Sequence, residues 1–130
     1  MKKGYMKRSM RALFRRIELE TGDASERYLH SILESAQQAR KLPPWLKGWK
    51  RSQKWSESDR HGVDFMIFTD RGSIRINVKS SQIFAKQFQD RHKDDDILAV
   101  VMNTLECPET SLGRFISIIG GEYRKMPVRA

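Results

Sequence analysis

Between residues 5 and 20 the apolar side chains Met6, Met10, Leu13, Phe14 and Ile17 recur at helical spacing, with Lys7, Arg8, Arg11, Arg15 and Arg16 around the rest of the cylinder. A helix with a basic flank is predicted there. Thr21-Gly22-Asp23 interrupts the pattern, and Asp23-Ala24-Ser25-Glu26 reads as a capping box in which Asp23 caps a new helix and Glu26 reaches back from the third position. This second helix runs from about Ala24 to Arg40. Tyr28, Leu29, Ile32, Leu33 and Ala36 form one apolar stripe on it, and Pro43-Pro44 forbids continuation.

From Trp45 to Gly62 no period is visible, and tryptophans alternate with lysines and arginines. A loop with at most one edge strand is expected. Val63 to Thr69 and Ser73 to Val78 then read as two short strands joined by the turn-forming Asp70-Arg71-Gly72, a β-hairpin. Ser80 or Ser81 can cap a helix through about Arg91, with Ile83, Phe84 and Phe88 facing inward. The continuous run Ile97 to Met102 suits a strand buried on both faces. Strand, helix, strand in that order implies a right-handed crossover and a parallel pair. Beyond Pro108 and Gly113, Arg114 to Ile119 (RFISII) reads as a last strand, and the chain from Gly120 as a loosely ordered tail. The expected whole is a single α/β domain over 1–130, with helices flanking a mixed sheet.

Side chains alternate along a strand, so Ile74, Ile76 and Val78 share one face of the second hairpin strand while Arg75, Asn77 and Lys79 share the other. A turn centred between Asp70 and Arg71 sets Asp64 opposite Asn77; one centred a residue later sets it opposite Lys79. Either two-residue loop groups the aspartate with the asparagine and the lysine, whereas a three-residue loop shifts the parity.

Charge changes the picture next. With 25 Lys and Arg against 16 Asp and Glu, the chain carries a formal net charge of +9. A field of that sign favours an anionic partner, although many small proteins are basic for solubility alone. A lone cysteine, Cys107, rules out an internal disulfide or a cysteine-cluster metal site. No stretch approaches the roughly 18 apolar residues of a membrane span, and the basic start lacks the apolar block of a secretory signal. A soluble, cytoplasmic protein is expected, with no membrane partner.

An aspartate beside a lysine on a sheet face, near a helix presenting a glutamate, could bind a divalent metal against a scissile phosphate. Mg²⁺ takes oxygen ligands and commonly uses one or two protein carboxylates. Lysine then orients the attacking water or stabilises charge on the phosphorane. Glu26 lies at the edge of the helix stripe that docks on the sheet, so it can reach the same place. Each residue also has a structural explanation: Glu26 as a reciprocal helix cap, and Asp64 with Lys79 as a cross-strand ion pair. Asp94, Asp95 and Asp96 read as a solvated rim. Of the scattered His30, His61 and His92, only His61, beside Asp59 and Asp64, is worth testing.

At these residues the chain resembles the PD-(D/E)XK nuclease superfamily. The core of that family is a helix, a three-stranded antiparallel meander, a crossover helix and a parallel strand, and the expected elements from Asp23 to Met102 follow that order. The resemblance implies a restriction-endonuclease-like fold and Mg²⁺- or Mn²⁺-dependent endonuclease activity. It implies Glu26 as the helix glutamate, Asp64 in HGVDFMIF as the metal-binding aspartate and Lys79 in INVKSS as the final lysine. Asn77 departs from the pattern. It stands where the family has Asp, Glu or sometimes Gln, so it could complete a metal site only through a neutral oxygen. Glu57 or Asp59 could compensate, or the site could be weakened to a nuclease-like scaffold that binds without cutting.

Nucleic acid is the expected partner, DNA ahead of RNA, recognised by shape because no motif reads base edges. Basic residues of the first helix and Lys47, Lys50, Arg51 and Lys54, with Arg75, would contact phosphates. Trp49 and Trp55, with Trp45, could stack bases, though tryptophans more often anchor cores. A homodimer is the assembly that cutting two strands favours. A basic protein-interaction factor with no nucleic-acid affinity at physiological salt is the remaining alternative from a different class.

Overall fold

The computed structural model describes the backbone of residues 8–53 and 62–128, with side chains from residue 23 onward. Its first element, α1 (Arg8–Gln38), is one continuous helix of 31 residues. The expected break at Thr21-Gly22-Asp23 does not occur. One internal glycine costs about 1 kcal/mol relative to alanine, which does not offset the cooperative gain of propagating a helix that already exists. Asp23 and Glu26 are therefore interior helix residues and not a capping box. The apolar stripe is as expected: Leu29, Ile32, Leu33 and Ala36 are buried, and Ser25 extends the stripe toward the N-terminus.

After Arg40, which takes a left-handed conformation at φ 57°, the prolines lead into β1 (Leu46–Arg51). It pairs antiparallel with β2 (Phe65–Thr69), which pairs antiparallel with β3 (Gly72–Lys79). The crossover helix α2 (Gln82–Arg91) leads to β4 (Ile97–Val101), parallel to β3, and α3 (Pro108–Lys125) follows. The sheet order is β1-β2-β3-β4. The chain is thus α/β, with a four-stranded mixed sheet flanked by three helices. No described helix is long and apolar enough to cross a membrane.

The hairpin has the first of the two expected registers. Thr69 pairs with Gly72 and Phe65 with Ile76, so the loop is the two residues Asp70-Arg71. Thr69 stabilises it by accepting a bond from Arg71 N at 3.0 Å and donating to Gly72 O at 2.7 Å. Ser81 is the N-cap of α2, its hydroxyl accepting from Phe84 N. Within α2, Ala85 and Phe88 turn inward while Ile83 is 69 % exposed, contrary to the inward position expected for it. Among the described residues β4 is an edge strand covered on both faces: Ile97 is buried under α2 and Val100 in the core beneath α1 and α3, while Leu98, Ala99 and Val101 are half-buried. Its outer edge is closed by side chains: Gln89 donates to Ile97 O and accepts from Ala99 N, and Arg114 donates to Val101 O.

The segment expected to be a last strand and loose tail is helical through Lys125. Ser111, Phe115 and Ile119 are fully buried at four-residue spacing, which is a helix period; RFISII in isolation hid it because Ser111 lies outside the six residues. Leu29, Leu33, Phe65, Ile67, Ile76, Val100, Phe115 and Ile119 join in one core between the sheet and α1 and α3. A smaller cluster of Val63, Phe88 and Ile97 lies under α2.

Candidate functional site

Four chain segments and α1 meet at the end of the sheet where β3 and β4 finish. Ser25 Oγ on α1 donates to Met102 O at 2.8 Å, and Met102 N donates to Lys79 O at 2.8 Å. One residue back on β3, Val78 N donates to Asp64 Oδ2 at 2.7 Å. Ser52 N, just past β1, donates to Asp64 O at 2.8 Å. The circuit closes through Arg51, whose Nη2 stands 3.5 Å from Asp23 Oδ1 and 3.8 Å from Glu26 Oε1, back on α1. Glu26, Asp64 and the backbone of Lys79, far apart along the chain, thus belong to one ring of contacts.

Asp64 holds its place through backbone geometry. Its N–H donates to Ile76 O at 2.8 Å, and Ile76 is already the partner of Phe65. Two residues therefore face one, as in a β-bulge, which re-aims a side chain where a strand ends. The plain alternation that set Asp64 across from Asn77 stops at Phe65. The carboxylate is nearly buried, at 8 % exposure, and takes the Val78 amide that a neighbouring strand would otherwise bond.

Asn77 is likewise buried under α2. Its Nδ2 donates to Gly62 O at 2.7 Å, and Oδ1 is buried with no partner among the described residues. The first bond needs a donor, which the amide supplies and an ionised carboxylate lacks. Gly62 itself has φ +88°, and a Cβ on it would come within 3.0 Å of the Phe88 ring. Asparagine at 77 thus fixes the turn that delivers Asp64. The half-buried Lys79 extends its ammonium over Phe88, 5.3 Å from the ring centroid.

Asp23 is the residue missed by sequence reasoning. It pairs with Arg27 at 3.1 Å and shares Arg51 with Glu26. Its three-residue spacing from Glu26 was the available signal, read as a cap because a helix start was expected. Asp64 and Glu26 carry the hard oxygen donors that Mg²⁺ or Mn²⁺ demands, and the orphaned Asn77 Oδ1 is a third oxygen. Among the described residues no three Asp, Glu, His or Cys side chains gather closely enough to enclose a metal ion. Two of these donors are carboxylates, the number that Mg²⁺ commonly takes from a protein, and Glu57, Asp59 and His61 lie outside the described residues.

The expected nucleic-acid residues separate. Lys47, Lys50 and Arg75 are exposed, while Arg51 is turned onto the two acids of α1. Trp49 packs inward, 5.0 Å from the His30 ring and 6.4 Å from Phe65, and Trp45 stacks on Tyr123 at 4.4 Å. Both are anchors of the core and not base-stacking platforms. Lys54, Trp55 and the basic side chains of the first helix lie outside the described ones. Asp94, Asp95 and Asp96 form the exposed rim expected of them, and Asp95 pairs with His92 at 2.6 Å. No protein-family model, curated protein or solved structure matches the chain.

Proposed function

We propose that the chain is a metal-dependent nuclease hydrolysing phosphodiester bonds of nucleic acid, DNA ahead of RNA, on a restriction-endonuclease-like scaffold. One observation carries this reading: the contact ring that joins Glu26, Asp64 and the Lys79 backbone at one end of a meander with a parallel crossover strand. Asp64 and Glu26 are the residues that would hold Mg²⁺ or Mn²⁺, which when bound would supply Lewis acidity at a phosphate oxygen and a more acidic water. Lys79 orients the attacking water or stabilises charge on the phosphorane. Asn77 acts through the backbone: its bond to Gly62 O positions Asp64. The test is cleavage of plasmid and single-stranded DNA with Mg²⁺ or Mn²⁺, in which the parent cuts and the Lys79→Ala variant does not.

A second reading, a nuclease-like scaffold that binds without cutting, is favoured by Arg51. Its guanidinium already sits beside both acids of α1, where a metal would otherwise supply the positive charge. This reading predicts oligonucleotide binding with neither cleavage nor Mn²⁺ uptake by calorimetry.

A further inference from the structure

The two faces of the sheet are covered unequally. α1 and α3 rest on one face, while α2 rests on β3 and β4 on the other. Among the described residues the β1–β2 half of that second face has no covering element. Its side chains fall in two cross-strand rows: Lys50, Met66 and Arg75 in one, Gly48, Phe68 and Ser73 in the next. Lys50, Phe68, Ser73 and Arg75 are exposed, and none of the positions in these rows carries an acid.

We infer that this open face is a docking platform for single-stranded nucleic acid, with Phe68 stacking on a base and Lys50 and Arg75 contacting phosphates. The inference rests on the nucleic-acid reading above and adds to it a surface and a substrate class. Phe68 is 37 % exposed on a strand whose other apolar side chains are largely covered. Opposite it stands Gly48, where even an added Cβ would only touch the Phe68 ring at 3.9 Å, so nothing rises from β1 to block the approach. Lys50 and Arg75 flank Met66 across two strand spacings, about 9–10 Å. That places a cation on each side of an apolar strip. Arg75 is held in place by its Nε bond to Asp96 O at 3.2 Å. An apolar ring one row away from two cations, on rows that carry no acid, matches an unpaired base and its neighbouring phosphates; a duplex hides its base faces and offers nothing to stack.

The experiment is fluorescence anisotropy of a labelled oligothymidylate of about ten nucleotides, in EDTA so that no cleavage intervenes. Phe68→Ala weakens binding about tenfold, the usual loss for one stacked base, and Phe68→Trp restores it. Lys50→Gln with Arg75→Gln lowers the slope of log K against log salt by about 1.4, the effect of two phosphate contacts on a single strand. A hairpin duplex binds more weakly than the oligothymidylate. Unchanged affinity in Phe68→Ala, with the parent's circular-dichroism spectrum, overturns the inference, as does equal affinity for the duplex. Self-association that is lost in Phe68→Ala, without oligothymidylate binding, assigns the face to a second copy of the chain and also overturns it. A parent that cuts DNA with Phe68 irrelevant to binding keeps the nuclease and loses the platform; one that binds through Phe68 and never cuts does the reverse.

Discussion

Two acid–arginine clusters stand on either side of α1 at the same end of the sheet, and they are built oppositely. On the β4 side, Glu106 accepts from Ser111 Oγ through one oxygen and from Arg114 Nη1 through the other, while Tyr28 of α1 donates to its carbonyl. Arg114 spends a second nitrogen on Val101 O. The Arg114 and Ser111 bonds hold the Glu106 carboxyl below its ordinary pKa. On the β1 side, Arg51 divides itself between Asp23 and Glu26 at 3.5 and 3.8 Å. The short bonds of the first cluster fasten α1 and α3 to the sheet, whereas the Arg51 pairs, at 3.5 and 3.8 Å and partly solvated, are of the kind that a competing cation can replace.

The sharpest way to break this contrast is Asn77→Asp, which places a carboxylate against Gly62 O. Urea unfolding is expected to show a loss of about 3 kcal/mol, the usual size for an uncompensated buried charge. A variant as stable as the parent would mean that the amide does not fix the turn. Glu106→Gln comes next and strikes the fastening cluster. Because the folded-state pKa is depressed, the contribution of Glu106 is complete above its ordinary value of 4.5 and is lost as the pH falls through the lowered value. The gap in urea midpoint between parent and Glu106→Gln should therefore close below pH 4.5, while DNA cleavage at neutral pH is retained.

The hairpin and α2 were legible in the sequence because their signals are local. Asp70-Arg71-Gly72 fixes a two-residue loop, and with it the register from Thr69 to Phe65; Ser81 is a cap with a helix behind it. Two elements were misread for the same reason in reverse. Gly22 looks like a break only until the packing of Leu29 and Leu33 is counted, and the helical period of α3 appears only when Ser111 is read with Phe115 and Ile119. At the site, Glu26, Asp64 and Lys79 could be nominated from residue type and order. The bulge at Asp64, the Asn77 bond to Gly62 and the reach of Arg51 to α1 join residues 12 to 28 positions apart, which no spacing rule reveals.

A smaller effect sharpens the loose side. Arg51→Met removes a cation from beside Asp23 and Glu26, costing within about 1 kcal/mol of stability because the pairs are partly solvated. Calorimetry should find Mn²⁺ bound roughly fivefold tighter, the worth of one unit charge near 4 Å in a water-like medium. Unchanged or weaker Mn²⁺ binding would mean that the acids of α1 are not ligands. The smallest effect lies on the fastened side. Gly113 sits in α3 between Ser111 and Arg114, with nothing within 4 Å of an added Cβ. Gly113→Ala should raise stability by about 0.5–1 kcal/mol and the melting temperature by a few degrees; a fall would contradict the helix assigned there.

The most direct measurement is the rate of single-stranded and plasmid DNA cleavage in Mg²⁺ or Mn²⁺ by the parent and by Lys79→Ala, at matched folded fraction. A hydrolytic ring built on Glu26, Asp64 and Lys79 predicts that the substitution lowers the rate by at least about 100-fold, the usual cost of one charge-stabilising group. Equal rates, or a parent that leaves both substrates intact, would contradict it.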